Sequence, residues 1–326
     1  MDDPPADDDC SCNLRPVGAT RSWRRSGRAA PGFMTGIRRV LALVPALALA
    51  GCANVPDTHR LMMFGASAPA TTAANAACDA PVARDAAPSG QDAALDAADL
   101  RLLVWNVQKA KNTGWSEDFL RLGTPMDILL LQEAHLTEPF STTMGQSGFH
   151  WSMAHAFTYS GAGTGVLTAS RTPASRACLT KTTEPLMRLP KSALITWHPL
   201  GDAGGELLMA NLHGINFSMG TGRFSEQLNE VADILRHHEG PLILAGDFND
   251  WSERRSAILE SLAGELGLLR LALSEDTRSR HFGRPVDHVF YRGLDVLEAR
   301  SEAVSSSDHN PLLVRFRLPG RHEGHL

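Results

Sequence analysis

Between Leu102 and Phe316 the chain repeatedly builds a short apolar run and ends it beside a polar side chain. The runs are Leu102–Trp105, Ile128–Leu131, Gly165–Ala169, Ala193–Trp197, Leu207–Asn211, Leu242–Ala245, Val286–Tyr291 and Leu312–Phe316. Each is too short for a core helix, and several are apolar without interruption. Uninterrupted runs of this length predict strands buried on both faces. Such strands need a covering layer on each side of their sheet. Helices suited to that task lie between the runs. Phe224, Leu228, Val231 and Leu235 recur at spacings of three and four, which predicts an amphipathic helix from Phe224 to His238. Another is expected after Trp251, with Ser252 as its cap and Ile258, Leu259 and Leu262 facing inward. The body is therefore α/β: two packed sheets with helices outside them.

The polar residues at the run ends carry the chemistry. Asn106 follows the first run, Gln132 and Glu133 the second, and His213 closes the fifth. Asp247 and Asn249 follow the sixth, Asp287 opens the seventh, and Asp308, His309 and Asn310 lead into the last. If the strands share one pair of sheets, these ends converge on one rim. Carboxylates and amides are hard oxygen donors, suited to Mg²⁺, Mn²⁺ or Ca²⁺. Singly, each residue has a bland explanation. Asp247 to Asp250 also reads as a turn into a helix, Asp287 as a turn residue, and Gly246 as an ordinary turn glycine. The ordered set is the signal. A zinc hydrolase is excluded by spacing, because adjacent His237 and His238 point to different faces of a helix.

That set resembles the endonuclease/exonuclease/phosphatase superfamily, which includes DNase I-like nucleases, sphingomyelinases and inositol-phosphate phosphatases. The matching segments are Leu103-Val104-Trp105-Asn106-Val107-Gln108, Leu131-Gln132-Glu133-Ala134, Asn211-Leu212-His213, Gly246-Asp247-Phe248-Asn249, Val286-Asp287-His288-Val289 and Ser307-Asp308-His309-Asn310-Pro311. They span about 220 residues, the size of a single domain. The runs Lys191-Ser192-Ala193-Leu194, Asn216-Phe217-Ser218 and Phe282 to Leu294 look like the bacterial YafD-like branch. The resemblance implies a four-layer sandwich of two mixed sheets flanked by helices, and a phosphoesterase dependent on Mg²⁺ or Mn²⁺. It assigns the metal to Glu133, Asn106 and Asp308. It assigns water activation to Asp247, with Asn249 holding the phosphate or that water. His309 would face the phosphate, oriented by Asp287, and His213 would donate to a phosphate or leaving-group oxygen. Lys109, Lys111, Arg188, Lys191, Arg223, Arg278, Arg280 and Arg284 are candidate phosphate contacts, with Lys191 and Arg284 preferred as substrate-binding residues. Gly214 to Arg223 reads as a mobile substrate loop. The substrate is a phosphate ester: DNA or RNA, a phospholipid, or a small phosphodiester. The alternative is a non-catalytic envelope lipoprotein on the same fold.

The N-terminus reads as an address. Arg38 and Arg39 precede an apolar run, Val40 to Ala50, too short to span a bilayer. It ends Leu49-Ala50-Gly51-Cys52, which resembles the lipobox of bacterial lipoproteins, with Cys52 lipidated. Residues 1–33 are a polar extension outside the mature protein, and 34–52 the signal peptide. Residues 53–98 are Ala-rich and expected to form a disordered tether. The domain follows at 99–318, then a polar tail at 319–326. The expectation is an exported protein held by lipid in the outer membrane, facing the periplasm, with no obligate protein partner. In an oxidising compartment Cys78 either pairs with Cys178 or both stay free thiols. The net charge of -5 gives no global reason to expect nucleic-acid binding, though a local basic groove is compatible with it.

Overall fold

The computed structural model describes residues 53–66, 70–83, 94–201 and 205–319. The extension, the signal peptide and Cys52 lie outside the described residues, as does nearly all of the polar tail. In chain order the elements are β1 (Leu61–Phe64), β2 (Thr71–Ala73), β3 (Val82–Ala83), β4 (Leu100–Asn106), α1 (Trp115–Asp118), β5 (Ile128–His135), α2 (Glu138–Gln146), β6 (His150–Tyr159), β7 (Ala162–Ser170), β8 (Arg176–Thr183), β9 (Pro190–Pro199) and β10 (Glu206–His213). They continue with α3 (Gly222–Leu235), β11 (Leu242–Asp247), α4 (Glu253–Glu265), β12 (Leu269–Arg270), β13 (Arg280–His281), β14 (Arg284–Pro285), β15 (Asp287–Arg292), β16 (Asp295–Ser301) and β17 (Leu312–Arg317).

One sheet runs β16-β17-β4-β5-β7-β6-β1-β2 and the other β12-β15-β11-β10-β9-β8-β3. Alternation along the strands sorts the side chains into layers. On β4, Leu102 and Val104 point between the sheets and join Leu207, Met209, Ile243 and Ala245 of the opposite sheet. Leu103 and Trp105 point outward and pack with Trp115, Phe119, Phe140 and Met144 of the helical layer. Across the other sheet, Leu208, Ala210, Leu242 and Leu244 meet Phe224, Leu228 and Val231 of α3 and Leu259 and Leu262 of α4. The uninterrupted apolar runs thus serve two cores each, and the four-layer sandwich expected from the sequence is present. Helix α3 stops at Leu235, where its apolar stripe ends. Ser252 caps α4 by accepting from the Arg255 amide.

Residues 53–98 are not the structureless tether that their composition predicts. β1 adds to the edge of β6, with Leu61 opposite Ala154 and Phe64 opposite Trp151. The Phe64 and Trp151 rings stack with centroids 3.6 Å apart. Asn54 bridges to Thr158, and β3 pairs with β8. Cys78 is disulfide-bonded to Cys178, with Cα atoms 4.9 Å apart. An alanine-rich average hides one run, Leu61-Met62-Met63-Phe64, and a pre-existing sheet edge needs no more than that to recruit a strand. Among the described residues, the segment before residue 99 therefore belongs to the folded body, since it supplies strands to both sheets.

Candidate active site

Topology brings the run ends together. β4 and β5 are parallel, so Asn106 lies beside Gln132. β10 and β11 are parallel, so His213 lies beside Asp247. β15 runs antiparallel to β11 and starts where β11 ends, which sets Asp287 opposite Asp247. The carboxyl ends of four strands and the start of a fifth share one rim.

Local backbone devices aim the side chains. The register of β5 against β7 shifts between Leu131 and Ala134, and Glu133 sits in that bulge at φ 54°. A left-handed non-glycine residue costs about 1–3 kcal/mol, so surrounding structure must hold it there. Part of that support is Gln132, which points between the sheets and donates to Asn211 Oδ1 at 2.7 Å. Asn211 in turn donates to the Leu167 carbonyl at 2.9 Å, tying the two sheets together below the rim. Gly246 has φ 140°, and a Cβ there would stand 2.0 Å from the Leu212 carbonyl oxygen. Its glycine is therefore obligatory, not a bland turn residue.

The polar cluster is centred on Asp247. Asn106 Nδ2 donates to Asp247 Oδ2 at 3.0 Å. The same carboxylate oxygen lies 3.5 Å from His213 Nε2 and 3.9 Å from His309 Nε2. His309 Nδ1 donates to Asp287 Oδ2 at 2.8 Å. Lys109 Nζ donates to Glu133 Oε2 at 2.5 Å. Lys191 Nζ donates to His213 Nε2 at 2.7 Å, so that nitrogen carries no proton and its approach to Asp247 is not an ion pair. Asp247, Asp287 and His309 also offer ligand atoms within 4.8 Å of one another.

The two histidines are in opposite states. Burial depresses His213, and the Lys191 ammonium depresses it further against the pull of Asp247 and Glu133, to about 3. Burial also opposes charge on His309, but the Asp287 carboxylate overrides it by charge and hydrogen bond, with Asp247 and Asp308 adding to the effect, and lifts it to about 10. Burial would raise Glu133, yet the positive groups around it hold it near 2. His213, which is protonated at the low pH where Glu133 titrates, is the strongest of these, followed by Lys109 and Lys191.

Of the expected site residues, Asn106, Glu133, His213, Asp247, Asp287, His309 and Lys191 come together. Asn249 stands in the same turn at φ 52°, but its Nδ2 reaches the Gly214 carbonyl at 3.1 Å and its amide donates to Asp247 Oδ1 at 3.0 Å. It braces Asp247. Asp308 is exposed and reaches His309 only through its charge. Arg284 is exposed on β14 and makes no contact with the cluster among the described residues. Arg278 is structural: it clamps Asp276 and donates to the Asp287 carbonyl at 3.1 Å. Nor is the loop after His213 unrestrained. Buried Arg255 holds it through the carbonyls of Ile215 and Asn216 and through Ser218 Oγ.

The fold also assembles a second carboxylate–histidine pair that no sequence motif marks. His288, next to Asp287, meets Asp250 Oδ1 at 2.8 Å, and both are almost fully buried. It joins the start of β15 to the turn carrying Asn249. His288→Asn should lower turnover about tenfold through mispositioning of Asp247 and Asp287, with kcat affected and KM little changed. Unchanged kcat would reduce the pair to a core contact.

The profile of the endonuclease/exonuclease/phosphatase family matches residues 103–309, which encompasses every member of this cluster. The chain belongs to that family. Family members hydrolyse phosphoester bonds and typically depend on a divalent metal. A UPF0294 protein of Vibrio cholerae is 43% identical over 221 residues, covering 68% of this chain and 78% of the relative. A UPF0294 protein of Yersinia pseudotuberculosis is 41% identical over 221 residues, covering 67% and 84%. Among solved structures, the human Nocturnin catalytic domain with bound sulfate shares the fold with a TM-score of 0.53 at 18% identity, over 69% of this chain and 96% of that one. A family member from Beutenbergia cavernae does so with a TM-score of 0.52 at 19% identity, over 68% and 72%.

Proposed function

We propose that the protein is an exported, divalent-metal-dependent phosphoesterase that hydrolyses phosphodiesters by in-line attack of water. The observation that carries this reading is the Asp287–His309 pair, whose free Nε2 faces Asp247 at 3.9 Å on a rim that also holds Glu133. Phosphodiester hydrolysis needs negative charge neutralised, a water aimed, and the leaving oxygen satisfied.

The donor set fits a hard cation. Glu133 is ionised, partly exposed at the rim, and held in a bulge at φ 54°. Glu133 and Asn106 on the rim would supply only oxygen ligands for the ion, and exposed Asp308 would have to turn toward them to join. When bound, Mg²⁺ or Mn²⁺ would neutralise phosphate charge and polarise the phosphorus–oxygen bonds. The chain's own residues do the rest. Asp247, aligned by Asn106 and Asn249, accepts a proton from the attacking water. As the new P–O bond forms, the opposite ester P–O bond breaks and the departing alkoxide takes a proton from solvent water. His309 donates from Nε2 to the phosphate. Lys191 supplies positive charge beside neutral His213. The Cys78–Cys178 bond supports export, because disulfides persist in oxidising compartments. Lipid attachment at Cys52, with the outer membrane as destination, belongs to the same proposal.

The test is hydrolysis of a soluble chromogenic phosphodiester by the chain from Ala53 onward. Chelator should abolish turnover, and Mg²⁺ or Mn²⁺ should restore it. Chelator-insensitive turnover would remove the metal from the mechanism. No turnover by folded protein with either metal would favour a non-catalytic binding role.

A further inference from the structure

The mouth of the site carries an apolar margin that the proposed chemistry does not use. Of the eight exposed large apolar side chains among the described residues, five lie on three loops: Leu186 and Met187, Phe217 and Met219, and Phe282. Met219 and Phe282 are 89% and 87% exposed, an expensive arrangement for side chains of that size.

The loops form a continuous arc beside the catalytic cluster. Buried Glu184, at the base of the Leu186–Met187 loop, accepts from the amides of Asn216 and Phe217 at 2.6 and 3.1 Å. Asn216 accepts from the Trp251 indole at 3.0 Å. Trp251 packs on Phe282, with ring centroids 5.5 Å apart. The next residue back, His281, lies 5.6 Å from the His309 ring. The apolar tips are therefore held out at fixed positions around the site by side-chain anchors beneath them.

Cations accompany the tips. Arg188 follows Met187 directly and Arg284 stands two residues past Phe282. Both are exposed and neither has an ion-pair partner among the described residues, while most exposed arginines elsewhere on the body are paired. Apolar tips flanked by unpaired guanidinium groups match one kind of surface: anionic headgroups over acyl chains. Nucleic acid suits the tips less well. Three of the five tips, Leu186, Met187 and Met219, have no π face on which a base could stack.

We infer that this margin docks the protein on an anionic phospholipid bilayer, with the active site facing the headgroups and a membrane phosphodiester as substrate. The substrate half of this inference rests on the phosphoesterase reading; the docking half does not.

Co-sedimentation with vesicles tests it, using the chain from Ala53 onward, which lacks any lipid anchor. The parent protein should bind vesicles of mixed phosphatidylcholine and phosphatidylglycerol, and bind phosphatidylcholine alone more weakly. Met219→Ser combined with Phe282→Ser should lower vesicle affinity at least about tenfold, while hydrolysis of the soluble phosphodiester stays within about twofold of the parent. Arg188→Gln should narrow the preference for anionic vesicles. Failure of the parent to bind either vesicle overturns the inference, as does a double variant that binds as well as the parent. A double variant impaired only toward single-stranded DNA would overturn it in favour of nucleic acid. Vesicle binding without turnover of the soluble ester would sink the catalytic reading and leave the docking surface standing.

Discussion

Replacing His309 with Ala is expected to lower turnover of a soluble phosphodiester at least about 10²-fold. The ring sits between two carboxylates, bonded to Asp287 through Nδ1 and directed at Asp247 through Nε2. Alanine removes both contacts and leaves Asp287 buried without its partner, which costs about 1–3 kcal/mol of stability. His309→Asn separates the two consequences. Its amide can still donate to Asp287 from near the Nδ1 position, so the melting temperature should recover while kcat stays low. A metal-loaded His309→Ala protein with near-normal kcat would remove His309 from the chemistry. Equal recovery of kcat and stability in His309→Asn would mean that the ring acts only as a brace.

Loss of the Cys78–Cys178 bond should have the largest effect on stability. It closes a loop with a sequence separation of 100, and loops of that size gain about 4.7 kcal/mol from cross-linking in the chain-entropy account. Cys178 is also fully buried in the core beneath α3. Paired Cys78→Ser and Cys178→Ser substitutions should lower the melting temperature by roughly 10 °C or more. Reductant should shift the parent by a similar amount and leave the double variant unmoved. Equal melting temperatures for parent and variant would show that the cross-link contributes nothing. A chain cut at residue 99 loses this bond together with β1, β2 and β3, and should be less stable still.

The eight apolar runs are legible because strands buried on both faces leave few polar positions to confuse the pattern. β1 was missed for the opposite reason. Its four residues stand alone in an alanine-rich stretch, and their partner, β6, lies about ninety residues away in sequence. Within the site, Asp247, Asp287 and His309 announced themselves by motif. Lys109 was one of many plausible cations until its contact with Glu133 singled it out. Asp250 and His288 each sit beside a stronger motif residue, which supplied a sufficient explanation for both. The direction in which the β13–β14 hairpin carries Arg284 is likewise invisible to a motif, because position in the chain does not set which way a hairpin points.

Residue type and order were enough to determine the fold class, the strand ends that bear chemistry, and the hard-oxygen character of the donors. These properties depend on neighbours in the chain, which is all that periodicity and motif can register. Tertiary structure decided which histidine is charged, because that depends on Asp287 facing one ring and Lys191 the other. It decided that Glu133 projects from a bulge, since a bulge exists only relative to a partner strand. It also decided that five scattered apolar side chains form one margin around the site. Each of these depends on groups brought together from distant parts of the chain, and only the folded geometry sets such distances.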